Sequence, residues 1–173
     1  MKNIFSLLTL FFSFIFLSGQ ISWQPIEKVL NGENSEKKTL LYFYDSSCKT
    51  CEKLKSTTFA HSEIISLTQT NYNTTSFDVS TKEKVSLFGK TFSPNQYKGA
   101  HDLVSFLSVT STPAIVLLDE SFMPLTTLQG NLSPRDLEPY LSFFSSPSYQ
   151  KIKTQKEWEN FQRKFKSKIK NED

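Results

Sequence analysis

The chain has 173 residues, 38% of them hydrophobic and 21% charged, with a formal net charge of +3. So small a surplus gives no electrostatic case for nucleic-acid binding. A chain of this size buries a real core without cross-links, and its two cysteines are too few for general stapling.

Met1-Lys2-Asn3 and the uncharged apolar run Ile4 to Leu17 read as an export signal, with Ser18-Gly19-Gln20 suited to cleavage. The run is shorter than the roughly 20 residues of a spanning helix. The alternative is an uncleaved anchor. No cysteine follows the run, which excludes a lipoprotein anchor. Residues 1–20 are therefore expected to be a signal peptide, 21–147 one domain and 148–173 a basic tail. Export places the thiols in an oxidising compartment, where a nearby pair persists as a disulfide.

Along the mature chain, Trp23, Ile26, Val29 and Leu30 fall at helical spacing, with Pro25 near the start and Asn31-Gly32 as a stop. Thr39 to Tyr44 is almost wholly apolar or aromatic, as in a strand covered on both faces. A helix carrying the cysteines follows, then a short helix near Ser62 to Leu67 and a strand from Thr74 to Val79. The polar stretch Ser80 to Lys98 reads as a long loop. His101 to Leu107 reads as a helix, Ala114 to Leu118 as a buried strand, and Pro124 to Leu128 as an edge strand. Ser133-Pro134-Arg135-Asp136 opens a helix with an N-cap, a first-turn proline and a favourable charge. Its apolar face is Leu137, Tyr140, Leu141 and Phe144. The order predicts an α/β fold, a mixed sheet with helices on both faces.

In the tail, Trp158, Phe161, Phe165 and Ile169 recur at helical spacing, so one amphipathic helix is expected. Docking of its aromatic stripe on the domain is the simpler reading; contact with a membrane surface or a partner is the other. The residues after Ile169 are expected to fray.

The chemistry points to Cys48-Lys49-Thr50-Cys51 at a strand-to-helix turn. A thiolate at Cys48 would meet the orphan N–H groups and positive end of the helix, while Cys51 lies one turn on, on the same side. Lys49 and Lys53 would add to that field, and Asp45 and Glu52 would oppose it. Glu52 after Cys51 disfavours haem attachment. His61 and His101 have no paired ligand spacing and are expected to be exposed or capping. A permanent structural disulfide, a non-catalytic binding scaffold and a copper-handling chaperone are the competing readings.

The stretch Leu41-Tyr42-Phe43-Tyr44-Asp45-Ser46-Ser47-Cys48-Lys49-Thr50-Cys51 resembles the active-site strand and turn of thioredoxin-fold proteins. Ser111-Thr112-Pro113-Ala114-Ile115-Val116-Leu117-Leu118-Asp119 resembles their cis-proline loop entering a strand, and Gly130 before the terminal helix also matches. Thr58-Phe59, Phe88-Gly89-Lys90 and Lys153-Thr154-Gln155 with Trp158 make the chain similar to exported bacterial members, and to the C-terminal domain of the transmembrane thiol reductase. The resemblance implies a thioredoxin-like three-layer sandwich and a periplasmic thiol–disulfide oxidoreductase. Cys48 and Cys51 would be its redox pair. Thr112 and Pro113 would form its substrate platform, and Tyr44, Asp45, Ser47, Lys49 and Thr50 would line the site. It implies no dissociable cofactor. The partners would be protein thiols or disulfides, including a membrane thiol carrier, and reductase is favoured over oxidase. The chain departs from thioredoxin at Tyr42, where a buried aspartate would stand, and at Ser47, where an aromatic residue would.

Overall fold

The computed structural model describes residues 19–30, 36–87, 89–94 and 100–170. The expected export segment up to residue 18, the expected stop at Asn31-Gly32, Phe88, residues 95–99 of the expected loop and the last three residues lie outside them.

The sheet is built around β1 (Lys38–Tyr44), whose side chains are buried on both faces. β1 runs parallel to β2 (Tyr72–Asp78) and antiparallel to β5 (Ala114–Leu118), and β5 runs antiparallel to the edge strand β6 (Pro124–Gln129). Strand alternation divides the core in two. Leu41 and Phe43 face one cluster, formed with α1 (Ile26–Leu30), α4 (Asp102–Phe106) and alternate residues of β5. Leu40 and Tyr42 face the other, with α2 (Lys49–Thr57), α3 (Ser62–Asn71) and α5 (Pro134–Ser145). The mixed sheet with helices on both faces and the proline-led edge strand agree with the sequence reading. The predicted N-terminus of α5 is also present: Ser133 and Asp136 form a reciprocal capping box.

Two expectations need correction. Within the polar stretch 80–98, β3 (Val85–Leu87) and β4 (Lys90–Phe92) form an antiparallel hairpin. Its short period-2 pattern buries Val85, Leu87 and Phe92, and Gly89 turns the chain at φ 69°. Polar residues on the outer face conceal that alternation in the sequence.

The tail is not one helix to its end. A turn of 3-10 helix (Pro147–Lys151) leads to α6 (Gln155–Lys164), which stops at Phe165. α6 packs its aromatic stripe on α5: Trp158 lies 4.9 Å from Tyr140 and 5.0 Å from Phe143, ring centre to ring centre. Beyond it the chain is extended because Glu138, 1% exposed, captures it. The Glu138 carboxylate accepts from the Ser167 hydroxyl and from the Lys168 N–H at 2.8 Å, and Lys168 pairs with Glu63 at 3.1 Å. These bonds carry Ile169 into the core shared by α3 and α5. Burial of one aliphatic side chain and satisfaction of a buried carboxylate outweigh another turn of exposed helix.

Both histidines cap helices: His61 Nδ1 accepts from Glu63 N–H, and His101 Nδ1 from Leu103 N–H, each at 3.2 Å. His101 is not exposed; it is buried, and its Nε2 lies 3.0 Å from the Glu83 carbonyl. No helix among the described residues is long and apolar enough to cross a membrane.

Candidate redox site

The end of β1 delivers the chain into a tight turn. The Cys48 N–H donates to the Asp45 carbonyl at 3.0 Å. Asp45 Oδ1 accepts from the Ser47 N–H at 2.8 Å and from its hydroxyl at 2.6 Å. These bonds, the hydroxyl first, hold the Asp45 carboxyl below its usual range. The carboxylate is therefore engaged with Ser47. The missing aromatic residue at position 47 is replaced by a side chain that fastens the turn.

Cys48 then occupies the N-cap of α2 with extended backbone, φ −85° and ψ 104°. Its Sγ accepts from the Cys51 N–H at 3.0 Å, as a capping serine oxygen would. Cys48 and Cys51 are joined as a disulfide, with their Cα atoms 5.2 Å apart. Cys48 is half-buried, whereas Cys51 is 3% exposed. Lys49 and Thr50, between them, are exposed on the first turn. One sulfur is reachable from solvent and the other is screened.

The second signature lies at the same end of the sheet. Phe43, near the end of β1, pairs with Ala114, which begins β5. Thr112 and Pro113 immediately precede that pair, so the loop approaches the turn that carries the cysteines. The Thr112–Pro113 peptide is cis, Pro113 is buried and Thr112 is half-buried. The Pro113 carbonyl accepts from the Gly130 N–H at 2.8 Å, and Gly130 needs its φ of 94° to leave β6 there.

Beside Cys51 is a cavity of about 170 Å³ lined by Trp23, Tyr42, Tyr44, Asp45, Glu52 and Lys55, among others. Tyr42 stacks on Tyr44 at 5.5 Å, lies 5.7 Å from Trp23, and donates its hydroxyl to the Cys51 carbonyl at 3.1 Å. Burial, and then the neighbouring Tyr44, push the Tyr42 phenol up to about 12. Burial and then Asp78 also raise Tyr44. Tyr42 is a neutral donor at physiological pH, whereas a carboxylate at this position could accept a proton. A larger groove of about 670 Å³ between β6 and the aromatic face of α5 and α6 is lined by no cysteine, histidine or carboxylate. The smaller cavity borders the screened Cys51, whereas the reachable Cys48 stands outside its lining. No cluster of three metal-ligating side chains occurs among the described residues.

Tyr42→Phe removes one buried hydrogen bond, with an expected loss of about 1 kcal/mol at neutral pH. The folded chain holds the Tyr42 proton where the unfolded chain releases it. That contribution is complete below about pH 10 and is lost as pH rises toward about 12. Urea midpoints at pH 9 and pH 11 should therefore fall less for Tyr42→Phe than for the wild type.

The sequence pattern does not mark Trp23 or Gln129 as site residues. Trp23 is brought to the cavity by a parallel bridge between Gln24 and Thr75. Gln129 reaches the Thr110–Ser111 backbone from the end of β6.

A disulfide at a helix tip, one sulfur accessible and the other screened, on a sheet of this topology, is the arrangement of a thiol–disulfide oxidoreductase. The chain belongs to the thioredoxin-like domain family, whose sequence model matches residues 27–145. Among solved structures it is similar to a thioredoxin-fold protein from Helicobacter pylori, with a TM-score of 0.62 and 19% identity over 79% of this chain and 91% of that one. It is also similar to a thioredoxin from Thermus thermophilus, with a TM-score of 0.58 and 16% identity over 78% and 94% of the two chains. A DsbH oxidoreductase aligns with a TM-score of 0.50 and 16% identity, over 88% of this chain and 96% of that one. At these identities the structures speak for the fold. No curated protein matches the chain.

Proposed function

We propose that the protein is exported to the periplasm and reduces protein disulfides there, with Cys48 as the attacking sulfur and Cys51 as the resolving one. The observation that carries the reading is the difference in burial across the Cys48–Cys51 pair at the start of α2. In the reduced protein the Cys48 thiolate, favoured by the first-turn N–H groups, attacks one sulfur of a substrate disulfide. A mixed disulfide forms, and the other substrate sulfur leaves as a thiolate and takes up a proton. Cys51 then loses its proton and attacks Cys48 Sγ. The Cys48–Cys51 bond forms, the mixed bond breaks, and the substrate leaves as a dithiol carrying two electrons. Another dithiol protein, of which a membrane thiol carrier is the candidate, returns two electrons and two protons to the pair.

Thr112 and Pro113 serve as the platform on which the substrate backbone lies as a short added strand. The apolar run Ile4 to Leu17 supports export. The likeness of the active-site stretch to the transmembrane thiol reductase supports the direction of electron flow.

Equilibration of the pair against glutathione tests that direction. A reductase should give a potential near thioredoxin's, about −270 mV, and a value near about −120 mV would reverse the assignment to oxidase.

A further inference from the structure

Between buried Val109 and buried Pro113, Thr110 and Ser111 are exposed and Thr112 is half-buried. Exposed backbone between two anchors ordinarily samples several conformations. Here four donors converge on one side-chain oxygen. Gln129 Oε1 accepts from the Thr110 N–H at 2.8 Å and the Thr110 hydroxyl at 2.8 Å. It also accepts from the Ser111 N–H at 3.0 Å and the Ser111 hydroxyl at 3.4 Å. Two of these donors are backbone amides, which cannot accept, so the oxygen end of the Gln129 amide must face the loop. Gln129 itself pairs with Ala114, and its neighbour Gly130 binds the Pro113 carbonyl. Two consecutive residues at the end of β6 thus hold the loop on either side of Thr112.

We propose that Gln129 is a positioning residue for substrate docking: its side-chain oxygen fixes the Thr110–Ser111 backbone so that Thr112 meets an extended, disulfide-bearing polypeptide with its main chain already aligned. The inference rests on the reading of Thr112–Pro113 as the substrate platform. Strand addition requires donors and acceptors at fixed spacing, and a loop ordered before binding does not have to be ordered by the substrate. Thr110, Ser111 and Gln129 are all exposed. If Gln129 is removed, water can satisfy the freed N–H groups, so the fold is left nearly intact while the alignment is lost. The effect is therefore confined to substrates that use the loop. A small aromatic disulfide reaches Cys48 without it.

The test uses the full chain, with dithiothreitol as electron donor and insulin as the protein disulfide; for the small disulfide, the pre-reduced chain freed of dithiothreitol reacts with dithiobis(nitrobenzoate) in a single turnover. Gln129→Leu should raise KM for insulin about ten-fold with kcat changed by less than about two-fold, as expected when the loop must be ordered by the substrate on docking. Its reaction with the small disulfide should stay within about two-fold of wild type. Gln129→Glu supplies an acceptor of the same reach and should keep the wild-type KM within about two-fold. The inference is overturned if Gln129→Leu retains the wild-type KM, if it loses both substrates in parallel, or if Gln129→Glu is as impaired as Gln129→Leu. A wild-type chain inert toward both disulfides would overturn the oxidoreductase reading, and this inference with it.

Discussion

Cys48→Ala should reduce turnover of a protein disulfide by about a thousand-fold or more, to the uncatalysed background. Cys48 is half-buried at the tip of α2, whereas Cys51 is screened beneath it, so Cys51 cannot take over the attack. The reciprocal change has a different signature. In Cys51→Ala the attacking sulfur remains but nothing displaces the bound partner, so a mixed disulfide should accumulate on Cys48, visible as an added mass under non-reducing conditions and lost with dithiothreitol. Neither result can be attributed to unfolding. The disulfide spans only three positions, and so short a ring contributes about 2 kcal/mol at most in the chain-entropy picture. Matching circular dichroism spectra for the variants and the reduced wild type would check this. Retained activity in Cys48→Ala would instead favour a binding role for the scaffold.

The largest expected loss of stability follows from Phe43→Ala. Phe43 is fully buried in the central strand and meets Phe77 edge to face at 5.6 Å. Its backbone pairs with Phe77 on one side and Ala114 on the other. Deletion of a buried phenyl ring typically costs about 3–5 kcal/mol, a large part of the roughly 5–15 kcal/mol that separates folded from unfolded chains. A fall of roughly 10–15 °C in the thermal midpoint is expected for a domain of this size. Met123→Ala, at a side chain 62% exposed, serves as the control and should change stability by less than about 0.5 kcal/mol. Because Ala114 follows Pro113 directly, Phe43→Ala should also weaken protein-disulfide reduction at temperatures where the variant is still folded.

The sequence was most informative where burial is continuous and local. β1 and β5 are covered on both faces, so their runs of apolar residues mark them as strands without reference to any neighbour. The helix carrying the cysteines and the capped start of α5 are likewise legible from a few adjacent residues. The β3–β4 hairpin is not legible in the sequence because its buried set is only Val85, Leu87 and Phe92, scattered among polar residues. The end of the tail is not legible either, because spacing alone keeps Ile169 on the stripe of Phe161 and Phe165. Glu138 redirects it, and nothing in the local sequence shows that this carboxylate is buried.

The same division holds at the site. Cys48, Cys51 and the Thr112–Pro113 pair lie in short motifs that can be read along the chain. In the sequence Asp45 is only a charge opposing the thiolate, and its bonds to Ser47 show a structural use as well. Gln129 is separated from Thr110 by 19 positions, and only the pairing of β5 with β6 brings its oxygen to that loop. A polar side chain at the end of an edge strand is unremarkable until its register is known.

The alternation along β1 bears on how such a sequence can change over time. Leu41 and Phe43 belong to one packed cluster, and Leu40 and Tyr42 to the other, with the strand's backbone between them. Compensating exchanges can therefore accumulate within one compartment without forcing adjustments in the other, because side chains that share no partners contribute nearly independently. The compartment that contains Cys51 and Tyr42 is tied to the redox pair, and the opposite one, through Val109 and Ala114, to the loop that carries Thr112 and Pro113, so each drifts under its own constraint.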